Sequence, residues 1–97
     1  MPSYIWLMKL TDQGMREIKE APKRLQDGMK ESKALGGQAK EFYAVFGEYD
    51  YVAVSDFPSD EAAMCFALQL ASQGNVRTTI LKAFSVADFT KACQKIP

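Results

Sequence analysis

Histidine is absent from this 97-residue chain. That removes the side chain most often used as a general base near neutral pH, and the commonest metal ligand. Net charge is absent as well. Twelve basic residues balance twelve acidic ones, so neither a nucleic acid nor an anionic membrane is expected as a partner recognised through bulk charge. The densest basic stretch, Lys19 to Lys33, is interrupted by Glu20, Asp27 and Glu31 and reads as a solvated helix face. Cysteine is sparse: Cys65 and Cys93 lack CxxC spacing and fall in helical stretches, which points to buried, reduced thiols. The first apolar run stops at Lys9, far short of a membrane span. Met1-Pro2-Ser3-Tyr4 has no basic region of the kind that opens a secretory signal, so a cytoplasmic location is expected. GxSxG, P-loop, HExxH, GxGxxG and EF-hand patterns are all missing, and no cofactor or metal is expected.

What is present suits one globular domain spanning residues 1–97. Apolar residues make up 47% of the chain, too many for a disordered segment. A domain this small buries only roughly 60–65% of its unfolded surface, so a second copy would help it.

Tyr4 to Leu10 is apolar on both parities and reads as a strand covered on both faces. Thr11 or Asp12 offers a helix N-cap, and Met15, Ile18, Leu25 and Met29 recur at helical spacing as far as Leu35. Pro22 must kink that helix or open a second one, because it has no N–H and clashes with a preceding turn. Gly36-Gly37 supplies the stop. A second strand is expected over Gln38 to Phe46, a turn over Gly47 to Asp50, and a third strand over Tyr51 to Phe57. Ser59 then caps a helix whose apolar stripe is Ala63, Phe66, Ala67, Leu70 and Ala71. Gly74 ends it, Val76 to Phe84 forms the fourth strand, and Ser85 with Asp88 opens a last helix with Phe89 and Cys93 facing inward.

This order predicts an α+β fold: a ferredoxin-like β-α-β-β-α-β sandwich with an extra C-terminal helix. The small aliphatic residues Ile5, Leu7, Val52, Val54, Leu81 and Ala83 are expected under the helices. The opposite sheet face would then carry Tyr4, Trp6, Met8, Phe42, Phe46, Tyr51 and Ile80, with Ser55 and Lys82 among them. A patch of that size calls for cover, and a two-fold dimer closing into a barrel provides it.

Over nearly its full length the chain resembles the GYD domain family. The resemblance rests on Tyr4-Ile5, Leu7, Leu10-Thr11-Asp12-Gln13-Gly14, Leu35-Gly36-Gly37, Phe42-Tyr43, the signature Gly47-Glu48-Tyr49-Asp50, Gly74-Asn75-Val76-Arg77-Thr78 and Ala83-Phe84. It implies a dimeric α+β barrel and no particular activity.

Six residues stand out as candidate ligand contacts: Trp6, Glu48, Tyr49, Asp50, Arg77 and Lys82. Asp50 could orient a ligand donor, or could hold turn amides in an Asx turn while Tyr49 covers the hairpin. Arg77 could clamp a carboxylate, or could pair with Asp50 or Glu48. Trp6, Tyr4, Phe42 and Tyr51, with Ser55 and Lys82, could line an apolar cavity or form a plain dimer interface. The function these features suggest is a small homo-oligomeric binding or regulatory module that takes a small apolar or aromatic molecule. A cofactor-independent monooxygenase- or isomerase-like enzyme and a purely structural oligomerisation subunit are the alternatives.

Overall fold

The computed structural model describes residues 1–97. Strand β1 (Ser3–Leu10) leads into a short helix α1 (Asp12–Arg16), a 3-10 turn (Ile18–Glu20) and helix α2 (Ala21–Ala34). Strands β2 (Gln38–Ala44) and β3 (Tyr51–Asp56) form the hairpin, followed by α3 (Asp60–Gln73), β4 (Val76–Ala83) and α4 (Val86–Gln94). The four strands form one sheet in the order β2-β3-β1-β4, with every pairing antiparallel. This is the ferredoxin-like arrangement expected from the order of elements.

Local chemistry explains the boundaries. The side chains of Thr11, Ser59 and Ser85 each accept the backbone N–H three residues on, at Gly14, Ala62 and Asp88. Pro22 lies in the first turn of α2, where its missing N–H costs nothing. Gly36 and Gly74 take up positive φ, 82° and 78°, just past the ends of α2 and α3. The hairpin strand β2 ends at Ala44, two residues earlier than expected, and leaves Phe46 fully exposed in the connection.

The sheet parity is the reverse of the sequence expectation. Tyr4, Trp6 and Met8 face the helices and form the core with Phe57 and Ala63. Ile5, Leu7, Val52, Val54 and Leu81 occupy the outer face, since opposed residues in an antiparallel pair share a face. The helix stripes give the reason. Ala62, Ala63 and Ala67 on α3 are small, so the sheet must supply the bulk that fills the two layers. Trp6 lies 5.8 Å from the Phe57 ring and 5.5 Å from Phe66, centroid to centroid. The two polar tips also find partners on this side: Trp6 Nε1–H donates to Ser55 Oγ, and the Tyr4 hydroxyl donates to Asp60. Both sheet faces are apolar, as the β1 pattern implied, but the outer one is aliphatic.

Two further expectations fail. Cys65 and Cys93 are free and exposed, not buried. Phe89 and Cys93 do not face inward, because α4 packs extensively against no other element and buries no residue. With α4 loosely held, the whole chain measures 53 × 30 × 19 Å along its principal axes. The radius of gyration, 14.9 Å, exceeds the ~12.5 Å of a compact chain of this length for the same reason.

Candidate functional site

Helix α2 stands off the sheet and leaves a cleft of about 470 Å³ beneath it. The cleft is walled by α2, by the C-terminal part of α3 and by the inner faces of β1, β2 and β3. Leu25 and Met29 line it from α2 and are exposed. Trp6, Met8, Phe42, Tyr51 and Phe66 form the opposite wall. A space of this volume and apolar character falls within the range of small-molecule sites.

Of the six residues singled out from sequence, only Trp6 lines this cleft. Asp50 secures the hairpin to the adjacent strand. Its carboxylate accepts the Leu10 N–H at 2.8 Å, and its own N–H donates to the Met8 carbonyl at 2.9 Å. This bond to β1 takes the place of the expected Asx turn. Tyr49 lies under the Lys9 ammonium, 5.5 Å from Nζ to ring centroid. Glu48 is exposed in the hairpin connection, and Arg77 is exposed on β4. The expected pairing of Arg77 with Asp50 or Glu48 does not form, since the ion pairs are Lys40–Asp56 and Lys82–Asp60. In the sheet register Arg77 stands opposite Lys9 on β1, so the adjacent strand offers it a like charge rather than an acid.

Lys82 belongs to a polar bridge that closes one flank of the sandwich. Tyr4 and Lys82 are opposed on β1 and β4, and both reach the Asp60 carboxylate in the first turn of α3. The hydrogen bond from Tyr4, then that from Lys82, pulls the Asp60 carboxyl below the ordinary carboxylate range. Burial, then the hydrogen bond and negative charge of Asp60, pushes the Tyr4 phenol from 10.0 up to about 12. The fold therefore favours the neutral phenol. Its stabilising contribution is complete below pH 10 and is lost as pH rises from 10 towards about 12. Tyr4→Phe should remove this alkaline loss, seen by circular dichroism across an alkaline titration with phenolate absorbance followed in parallel. An unchanged alkaline profile in the variant would place the sensitivity elsewhere.

Sequence inspection passed over Ser32, and gave Ser55 only a minor place. Ser32 is 5% exposed and Ser55 7% exposed, and both line the cleft. A signal was available for each. Ser32 follows Leu25 and Met29 at helical spacing and so shares their face. Ser55 shares the strand parity of Tyr51 and Ala53.

A second set of contacts joins segments far apart in the chain. The Thr11 N–H donates to the Asn75 carbonyl at 3.0 Å, and the Thr11 hydroxyl donates to the Gly74 carbonyl at 2.6 Å. Gln13 Nε2–H reaches the Gln73 carbonyl and Asn75 Oδ1. Gly14 lies against the Asn75 backbone so closely that a Cβ would stand 2.2 Å from its carbonyl oxygen. The start of α1 and the end of α3 are thus a single clasp, which holds the floor of the cleft in register.

Fold and cleft together define a small ferredoxin-like protein with a ligand-sized apolar space between its sheet and its helices. The GYD domain matches residues 4–93, and the chain belongs to that family. It is 36% identical over 89 residues to the glutamine synthetase and cystathionine beta-lyase binding protein of Thermus thermophilus, an alignment that covers 91% of this chain and 94% of the relative. Among solved structures it is similar to a feast or famine regulatory protein of Mycobacterium tuberculosis complexed with L-methionine, with a TM-score of 0.58 and 19% identity. That match takes in 89% of this chain and 52% of the other, so the chain spans about half the length of the regulator. A hypothetical protein of Pyrococcus horikoshii is similar over 88% of this chain and 92% of its own, with a TM-score of 0.55 and 21% identity. At these identities the structural likeness is one of fold. No helix is long and apolar enough to cross a membrane.

Proposed function

We propose that this protein is a non-catalytic binding module of amino-acid metabolism. It works as a homodimer, docks on a larger enzyme, and carries a small, partly apolar molecule in the cleft beneath α2. The observation that carries this reading is the 470 Å³ cleft, apolar on both walls, with Trp6 in the wall opposite α2. The chain has no histidine to serve as a base, and the charged side chains that line the cleft are engaged within the chain: Arg24 on the Glu17 and Gly14 carbonyls, Lys40 with Asp56, and Glu41 with the Tyr43 hydroxyl. That arrangement favours a holder over a catalyst.

The docking role is supported by the Thermus relative, whose name states two enzyme partners and which the alignment covers almost end to end. Self-association is supported by the aliphatic outer face of the sheet, where Leu81 and Tyr43 stay exposed beside Ile5, Leu7, Val52 and Val54. A second copy presents the same face, and two-fold packing would cover both. Native mass spectrometry tests the reading, on the freshly purified chain and on its mixture with the glutamine synthetase of its own host. The expected result is twice the 10.8 kDa chain mass, an added small molecule, and a further complex with the enzyme. A bare monomer that ignores the enzyme would overturn it.

A further inference from the structure

We propose that the cleft selects a neutral, ring-bearing molecule with a carbonyl oxygen at one end, bound by the hydroxyls of Ser32 and Ser55. The proposal rests on the cleft being a binding site and specifies the chemistry of what it takes.

The two serines are the buried polar side chains of the protein, and each has hydrogen-bonding capacity that the chain leaves open. A serine within a helix commonly turns its hydroxyl back to a carbonyl three or four residues earlier. Ser72 does so to Gln69, and Thr90 does so to Val86. Ser32, inside α2 and buried, makes no such bond, although it lines the cleft. No fully enclosed polar side-chain atom lacks a partner, so the free Ser32 oxygen is not sealed off. Ser55 Oγ accepts the Trp6 indole N–H at 2.6 Å. A hydroxyl carries one donor besides its acceptor sites, and the O–H of Ser55 has no acceptor within the chain. Both serines line the one apolar space, each with a donor that the chain leaves unused.

They lie at the same end of it. Ser55 is paired with Ala39 near the start of β2. Gly37, two residues before Ala39, passes beneath Ser32 so closely that a Cβ there would stand 2.5 Å from Ser32 Oγ and 2.7 Å from the Phe57 ring. A glycine at that point leaves the serine its room. The rest of the space is walled by the rings of Trp6, Phe42, Tyr51 and Phe66 and by the adaptable side chains of Met8 and Met29, a lining that suits a flat ring.

Charge decides between a ketone and an acid. Arg24 also lines the cleft, but its guanidinium donates to the Glu17 and Gly14 carbonyls. It precedes Ser32 by eight positions on α2, about 12 Å along the helix axis. Lys40 turns to Asp56, and Glu41 accepts the Tyr43 hydroxyl. The serine end therefore offers neutral hydroxyl donors, with its cleft-lining lysine, Lys40, drawn to Asp56 at 3.8 Å, which favours a neutral acceptor over a carboxylate.

Trp6 is the single tryptophan, so its indole N–H gives one resonance in a nitrogen-edited NMR spectrum, reporting directly on Ser55 and the cleft. The probes are 2-acetonaphthone, its isostere 2-isopropenylnaphthalene, and 2-naphthoate. The ketone is expected to shift that resonance and to bind about three- to tenfold more tightly than the isostere. Ser32→Ala should shrink the difference while leaving the isostere's affinity unchanged. Equal binding of ketone and isostere, unaltered by Ser32→Ala, would overturn the ligand class and leave the binding site standing. Tightest binding of the naphthoate, lost in Arg24→Gln, would overturn it in favour of an acid. If no probe moves the resonance, both the ligand class and the cleft's binding role fail.

Discussion

Trp6→Ala is expected to cost about 3–5 kcal/mol of folding stability, the usual range for removing a large aromatic residue from a packed core. A domain of this size has only about 5–15 kcal/mol in total, so the variant should be close to unfolded at moderate temperature. The indole is 2% exposed and stands within ring contact of Tyr4, Phe57 and Phe66. Truncating it opens a void at the centre of the sandwich and leaves Ser55 without its donor. The experiment also decides between the two sheet parities. With Trp6 on the outer face, alanine would weaken self-association, and the denaturation midpoint would shift mainly with protein concentration. With Trp6 in the core, the loss should persist at every concentration. Urea unfolding over a hundredfold range of protein concentration separates the two outcomes.

Gly14→Ala carries the next largest expected effect, about 3 kcal/mol, at the upper end of what overpacking costs. Alanine is ordinarily the better helix former, by about 1 kcal/mol, so local propensity predicts the opposite sign. The tertiary contact decides it. The added methyl group would meet the Asn75 carbonyl oxygen at 2.2 Å and the Asn75 carbonyl carbon at 3.1 Å. Those are backbone atoms and have no other rotamer to adopt. Relief requires α1 to move away from the end of α3, which breaks the Thr11 bonds to Gly74 and Asn75. A fall in melting temperature of roughly 10–20 °C is expected from the usual scaling for domains of this size. Gly28→Ala provides the control, because a Cβ there meets nothing and the propensity gain should appear unopposed. Equal responses at the two glycines would show that the clasp is not tight.

The same contrast explains which features could be read from sequence. Thr11, Ser59 and Ser85 announced their helices because a capping oxygen bonds an amide three residues away, within the reach of a local pattern. Pro22, Gly36 and Gly74 marked boundaries for a similar reason, since their constraints are those of a single residue's backbone. Asp50 stands out in the sequence for its place in the turn, yet its partner, the Leu10 amide, lies 40 positions away. The turn chemistry visible in sequence suggested a nearer one. The cleft was legible only in fragments. Phe42, Tyr51 and Ser55 were named beside Trp6 as possible cavity residues and do line it, whereas Tyr4 and Lys82 point to Asp60.

By itself the sequence determined the strands, the helices, their order and hence the four-stranded antiparallel fold, because periodicity and capping act within a few residues. It also determined that both faces of the sheet would be apolar. Which face meets the helices was decided only in the tertiary structure. An alternating strand with two apolar sides has no local preference, and the balance falls to whichever side fills the space above the small residues of α3. The cleft was decided at the same level: its volume is the gap left where α2 does not reach the sheet, a property of no single segment.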